Sequence, residues 1–177
     1  MMAGKEKRPK EKRHRAASDA SFFERYWQYL LIAVFSFALY ANSIPNDYAM
    51  DDELVTQNHR LTSQGIKAIP EIFTSTYYSD KMGYAYDYRP IVHVSFALEH
   101  ELFGESPHVS HFINVLLYVL LCVLLYITLK KFLPLPDIFL VAITLLFTAH
   151  PVHTEVVSSI KNRDELLALI FGLAAFR

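Results

Sequence analysis

Two polar runs in this chain hold the residue types from which a reactive centre can be built. One is Asp51-Asp52-Glu53. The other is His150-Pro151-Val152-His153-Thr154-Glu155, which leads into Lys161-Asn162-Arg163-Asp164-Glu165. Adjacent carboxylates suit a general base or a cation site. A guanidinium binds phosphate oxygens through paired N–H donors. His150 and His153 stand three apart, a spacing that permits zinc, but no third ligand is compelled. Each run follows a long apolar segment on what hydropathy makes the same membrane face. Charge near a bilayer is costly and marks functional candidates. Acids, histidines and an arginine at one membrane face suit chemistry on a lipid-linked, phosphate-bearing substrate.

The elements that position these residues follow from the apolar pattern. Residues 1–25 carry eight Lys/Arg against four acids and read as a disordered, basic, cytoplasmic arm. Residues 26–44 form the first expected membrane helix, roughly 28 Å long, with Tyr26, Trp27 and Tyr29 as interface aromatics. Residues 45–110 carry four basic residues and ten acids. A basic arm, an apolar helix and then an acidic segment fit the positive-inside rule and place this loop outside the cytoplasm. Within it, residues 91–103 predict a juxtamembrane helix, with Pro90 in its first turn and Gly104 at its C-cap. Its broad apolar face holds Ile91, Val94, Phe96, Leu98, Leu102 and Phe103. His93, Glu99, His100 and Glu101 make up most of its polar side.

Residues 111–132 form the second membrane helix, ending in Lys130-Lys131, and residues 137–149 a short third one. Pro151 disfavours helix at His150, so the motif 150–155 lies below the outer surface, lining a wet cavity. Residues 154–176 are expected to form one helix running back inward. At 100° per residue Glu155, Ser159 and Asn162 fall within about 40° of one face, with Arg163 and Glu165 about 80° to either side. Arg89 before Pro90 is a second phosphate candidate. His111 and Asn114, one turn apart at the outer end of the second span, either join the site or cap a helix. The fold class is therefore an all-α, polytopic membrane protein of about four membrane helices plus the juxtamembrane helix.

Composition agrees. Of 177 residues 53% are hydrophobic, more than a soluble domain carries. A single cysteine, Cys122, excludes an intrachain disulfide and a cysteine-based metal site, and only five glycines are present. No phosphate-cradling glycine loop, serine nucleophile elbow or dinucleotide fingerprint occurs. The basic arm precedes a hydrophobic segment, so nucleic acid is not the expected partner.

Certain motifs carry a resemblance. These are Asp51-Asp52 after the first span; Tyr88-Arg89-Pro90-Ile91; Ser95-Phe96-Ala97-Leu98; Leu102-Phe103-Gly104; His111 and Asn114; and His150 to Val157 followed by Ile160, Arg163 and Glu165-Leu166-Leu167. In that order they resemble the membrane part of transmembrane O-mannosyltransferases with C-terminal tetratricopeptide repeats, over residues 26–176. The resemblance implies a GT-C glycosyltransferase fold. It implies an inverting transfer of a sugar, mannose by the family's name, from a polyprenyl- or dolichyl-phosphate carrier to a hydroxyl of a protein or other acceptor. The base would be Asp51 or Asp52, with Asp51 preferred. Arg163 would hold the donor phosphate, with Arg89 the second candidate. His150, His153, Glu155, Asn162, Glu165, His111 and Asn114 would shape the pocket.

The expected membrane is a bacterial inner membrane or the endoplasmic reticulum. No cofactor is assigned, a divalent cation being the open alternative. Because the chain holds about four helices and no repeats, it is expected to be the amino-terminal piece of a longer enzyme, inactive by itself. The alternative reading is a non-catalytic membrane anchor for a downstream repeat domain. A transporter would place its charges nearer the bilayer midplane.

Overall fold

The computed structural model describes residues 26–49, 51–79 and 85–176. The expected basic arm, 1–25, lies outside the described residues.

Helix α1 covers residues 26–40 and tightens into a 3-10 turn at Ala41–Ser43. The Ser43 hydroxyl closes it by donating to the Tyr40 carbonyl at 2.7 Å. The short helix α2 is Ile69–Ile72, and strands β1 (Tyr78–Ser79) and β2 (Ala85–Tyr86) form an antiparallel ladder in which Tyr78 pairs with Tyr86. Helix α3 runs Pro90–Phe103, with proline at its first position and Gly104 at φ 71 closing it. Helix α4 runs Pro107–Phe132. It starts four residues before the expected 111, because Pro107 supplies a preset φ at the first position. Lys130 and Lys131 in its last turn face the negative end of its dipole. Helix α5 is Asp137–Thr148, α6 is His153–Ser158 and α7 is Arg163–Ala175.

Helix α4 is the axis. It packs against α5, α6 and α7. Ile32 and Tyr40 of α1, Val115, Tyr118, Leu121, Cys122 and Tyr126 of α4, Leu140 and Val141 of α5, Val157, and Leu166 and Ile170 of α7 make one buried cluster. Outside this core the bundle shows apolar side chains: Leu30, Val34, Leu120, Ile138, Phe139, Leu146 and Phe171 are all exposed. Exposed apolar surface of this kind is what a membrane or a partner protein covers. Among the described residues, α4 is the one helix long and apolar enough to cross a membrane. Helix α5, with 12 residues, spans only about 18 Å against a hydrocarbon core of about 30 Å.

The described residues between 45 and 106 form a folded lobe at one end of this bundle. Helix α3 packs on the 3-10 helix Thr62–Ala68 and on α7. Two small clusters fill the lobe: Val55, Tyr77, Val92, Phe96 and Ile160, and then Leu61, Ala68, Ile72 and Ala97. Gly65, at φ 64, is required here. At that φ, with ψ −147, an L side chain is strained whatever the space around it; beside it Glu101 Oε2 accepts the Ile66 N–H at 3.2 Å.

Two expectations need correction. Residues 154–176 are not one helix: Ser159 is extended (φ −95, ψ 122), and Ser159–Asn162 break the run into α6 and α7. The single polar face of Glu155, Ser159 and Asn162 therefore does not exist. Helix α3 also turns part of its polar side inward. His93 and Glu99 are buried while Ile91, Leu98, Leu102 and Phe103 are exposed. Partners for Glu99 inside the protein, Arg163 and Ser110, make that orientation stable.

Candidate functional site

The α6–α7 break releases backbone groups that a continuous helix would pair internally, and in an apolar setting each needs a new partner. Two of the residues singled out by sequence supply them. Asn114 of α4 donates from Nδ2 to the Ser159 carbonyl at 3.1 Å. Asp52 accepts the Lys161 N–H on Oδ1 at 3.1 Å and the Ala49 N–H on Oδ2 at 2.7 Å. Asp52 is 1% exposed. Its carboxylate pins the segment after α1 to the break before α7, across 109 residues of sequence.

Asp51 is placed differently. Its side chain is 63% exposed and its Oδ2 lies 3.0 Å from Lys161 Nζ. The two adjacent acids thus divide their work: Asp52 is engaged by main-chain donors inside, and Asp51 faces outward beside an ammonium.

Arg163 begins α7 and is 0% exposed. Each nitrogen of its guanidinium is engaged. Nε donates to Asn114 Oδ1 at 2.7 Å, one terminal nitrogen pairs with Glu99 Oε2 at 2.7 Å, and the other donates to the Ser110 carbonyl at 3.1 Å. The guanidinium also lies 3.8 Å from the Phe96 ring centroid. Ser110 donates its hydroxyl to the other Glu99 oxygen. This is a structural tie between α3, α4 and α7, and every guanidinium nitrogen is engaged within it. Sequence reasoning did not assign Glu99 or Ser110. The signal was an acid set among Phe96, Ala97 and Leu98, which a helix keeps there only when a cation meets it.

Arg89 stands at the start of α3, forming ion pairs with Asp164 and with Asp87, the latter at 2.5 Å. Its guanidinium carbon lies 5.1 Å from the Tyr77 ring centroid. Burial works against its charge, and Asp164 and Asp87 outweigh that, raising the guanidinium above its ordinary value. It opens onto a cleft of 360 Å³ between α3 and α7, also lined by Ile91, Asp164, Glu165, Leu167 and Phe171.

The remaining candidates are spread around this centre. His111 is buried, and its Nε2 donates to the Asp47 carbonyl at 3.4 Å. Asn162 is half-buried and its carbonyl accepts the Glu165 N–H. His153 packs on Phe147 and Tyr118, with centroids 4.3 and 5.7 Å away, and with Glu165 it lines a second groove of 450 Å³ among α4, α5, α6 and α7. His150 is exposed and accepts the Val152 N–H on Nδ1 at 3.3 Å. Glu155 is exposed. Among the described residues no three His, Cys, Asp or Glu side chains converge as metal ligands.

In the lobe His93 lies between two rings, stacked on Tyr77 at 4.9 Å and tilted against His59 at 4.7 Å. Burial lowers both imidazoles, His59 to about 4, with His93 and Arg60 adding to the effect on His59.

Among the described residues the fold is mainly helical, an apolar bundle with one two-residue β ladder and an acid–lysine–arginine constellation at one end. Its relatives are consistent in name. The chain is 28% identical over 151 residues to a protein O-mannosyl-transferase of Caenorhabditis elegans, covering 82% of this chain and 22% of that protein. It is 30% identical over 152 residues to human protein O-mannosyl-transferase TMTC2 (81% of this chain, 17% of the relative). Against human TMTC3 the identity is 37% over 89 residues (50% and 10%). The chain belongs to the protein O-mannosyl-transferase family that these relatives represent. It spans about a fifth of the length of the first two relatives. No family model and no solved structure matches it.

Proposed function

We propose that this chain is part of a multi-pass membrane glycosyltransferase that moves mannose from a polyprenyl- or dolichyl-phosphate carrier to a hydroxyl of a protein acceptor on the non-cytoplasmic face. The amino terminus lies in the cytoplasm, and the membrane is a bacterial inner membrane or the endoplasmic reticulum. The observation that carries the reading is the meeting of Asp51 and Asp52 with the α6–α7 break at Lys161. It sets an outward-facing carboxylate on a rigid mount at the end of an apolar bundle, where a lipid carrier would present its phosphate.

In this reading Asp51 is the base. It removes the acceptor's hydroxyl proton as that oxygen attacks the anomeric carbon. The sugar–phosphate bond breaks on the opposite side, the electron pair leaves with the carrier phosphate, and configuration inverts. No protein nucleophile is needed. Asp52 holds the loop in place. Arg89, at the mouth of its mostly apolar cleft, meets the donor phosphate on docking. Arg163 positions α7 from beneath. The relatives' printed names support mannosyl transfer, and the exposed apolar belt supports the membrane setting.

The test is transfer of label from a tritiated polyprenyl-phosphate mannose to a Ser/Thr peptide by the intact protein in nanodiscs. Asp51→Asn should abolish transfer while leaving the melting temperature within about 2 °C, because its exposed side chain holds only a surface ion pair. Wild-type rates in folded Asp51→Asn would remove Asp51 as the base.

A further inference from the structure

Lys161 owes its position to the helix break. Its main-chain N–H is fixed by the buried Asp52 carboxylate, and its ammonium lies 3.0 Å from Asp51 Oδ2 with the side chain 32% exposed. The root of the side chain is therefore anchored, and only its flexible four-carbon stem can swing. Resting on the transferase reading above, we propose that Lys161 is a catalytic residue: the cation that meets the departing carrier phosphate, released from Asp51 by the proton Asp51 takes up.

The charges follow step by step. Before reaction the Asp51 carboxylate and the Lys161 ammonium neutralise each other. The donor phosphodiester carries one negative charge. As the acceptor oxygen bonds to the anomeric carbon, its proton moves to Asp51, which becomes neutral. The bond from the anomeric carbon to the phosphate oxygen breaks, and the carrier leaves as a phosphate monoester with one additional negative charge. Lys161 loses its partner's charge at the moment the phosphate gains one. Its attraction is thus greater in the transition state than in the ground state, the condition for raising kcat.

The other cations nearby lack this property. Arg163 is engaged at every nitrogen by groups that do not titrate in the step. Arg89, which meets the donor phosphate on docking, pairs with Asp164 and Asp87, neither of which takes up the proton in the step.

The experiment compares wild type, Lys161→Met, Lys161→Arg and Asp51→Asn as intact protein in nanodiscs, with tritiated polyprenyl-phosphate mannose and a Ser/Thr peptide, measuring kcat and donor KM separately. Lys161→Met keeps the main-chain bond to Asp52, so its melting temperature should match wild type. The expected result is a kcat about 100-fold lower with KM within threefold, and recovery of most of the loss in Lys161→Arg. A raised KM with kcat unchanged overturns the proposal, since Lys161 would then only bind the resting donor. So does a kcat within threefold of wild type in Lys161→Met while Asp51→Asn is inactive, a result that leaves the transferase reading standing. Absence of both transfer and donor hydrolysis by wild type would overturn the two together.

Discussion

The buried Arg163–Glu99 pair should be the most sensitive point in the fold. Side-chain exposures are 0% and 4%, and four groups converge on the guanidinium: Glu99, Asn114, the Ser110 carbonyl and the Phe96 ring. Arg163→Met keeps the volume and removes the cation. Glu99 is left as an uncompensated buried charge, which costs about 3–5 kcal/mol. Asn114 Oδ1 and the Ser110 carbonyl also lose a donor, at about 1 kcal/mol each, partly offset by relaxation. The expected net loss is about 4 kcal/mol, or roughly 10 °C in melting temperature for a body of this size. Glu99→Gln should cost less, about 2–3 kcal/mol, because the amide oxygen can still accept from Arg163 while its NH2 takes the place of the oxygen facing the Ser110 hydroxyl, which can turn to accept.

The decisive variant is the double Arg163→Met/Glu99→Leu, which removes both charges. It should recover at least 2 kcal/mol relative to the sum of its singles, a coupling that distant sites do not show. Circular dichroism melts in nanodiscs, with detergent titration as a second probe, measure wild type, Arg163→Met, Glu99→Gln, Glu99→Leu and the double variant. Additive single losses, or Arg163→Met within 1 °C of wild type, would refute the structural tie. Wild-type stability with transfer abolished would return Arg163 to the donor phosphate.

Asp52 and Asp51 should separate cleanly. Asp52→Asn replaces one acceptor oxygen with an NH2 group facing a main-chain N–H, at 2.7 Å from Ala49 or 3.1 Å from Lys161, and should cost about 1–3 kcal/mol of stability by thermal melting. A neutral Asp52→Asn would show that the α6–α7 break holds without it. The lobe that holds His59 should weaken in acid. Folded His59 titrates at about 4, below its ordinary 6.5, so between those values the unfolded chain binds a proton that the folded chain refuses. Stability is full above about pH 6.5 and falls as pH drops toward 4, by roughly 1 to 3 kcal/mol after allowance for the partial exposure of His59. The His59 Nδ1 that accepts the Thr62 N–H at 3.3 Å is the atom whose protonation breaks that bond. His59→Phe should flatten the difference in melting temperature between pH 7 and pH 5, and an unchanged slope would exclude His59 as its source.

Sequence alone determined the positions of the apolar helices. Runs such as residues 111–132 leave few alternatives to helix, and proline and glycine mark the ends of α3 chemically. It also singled out Asp51, Asp52, Asn114 and Arg163 as unusual, because polar groups beside apolar segments need partners. Tertiary structure decided what each one does. Helical periodicity assumes that the helix continues, so the polar face drawn over residues 154–176 failed at Ser159, where Asn114 and Asp52 from distant segments take the backbone groups that helix bonds would have held. Sequence marks Arg163 as a candidate phosphate ligand; packing sets it against Glu99 of α3, with which it pairs at 2.7 Å. Lys161 was one charge among several in a run until the break carried it to Asp51. Partners 49 to 110 residues away set whether a polar side chain is a tie or a tool, and their approach is a property of packing that no local pattern encodes.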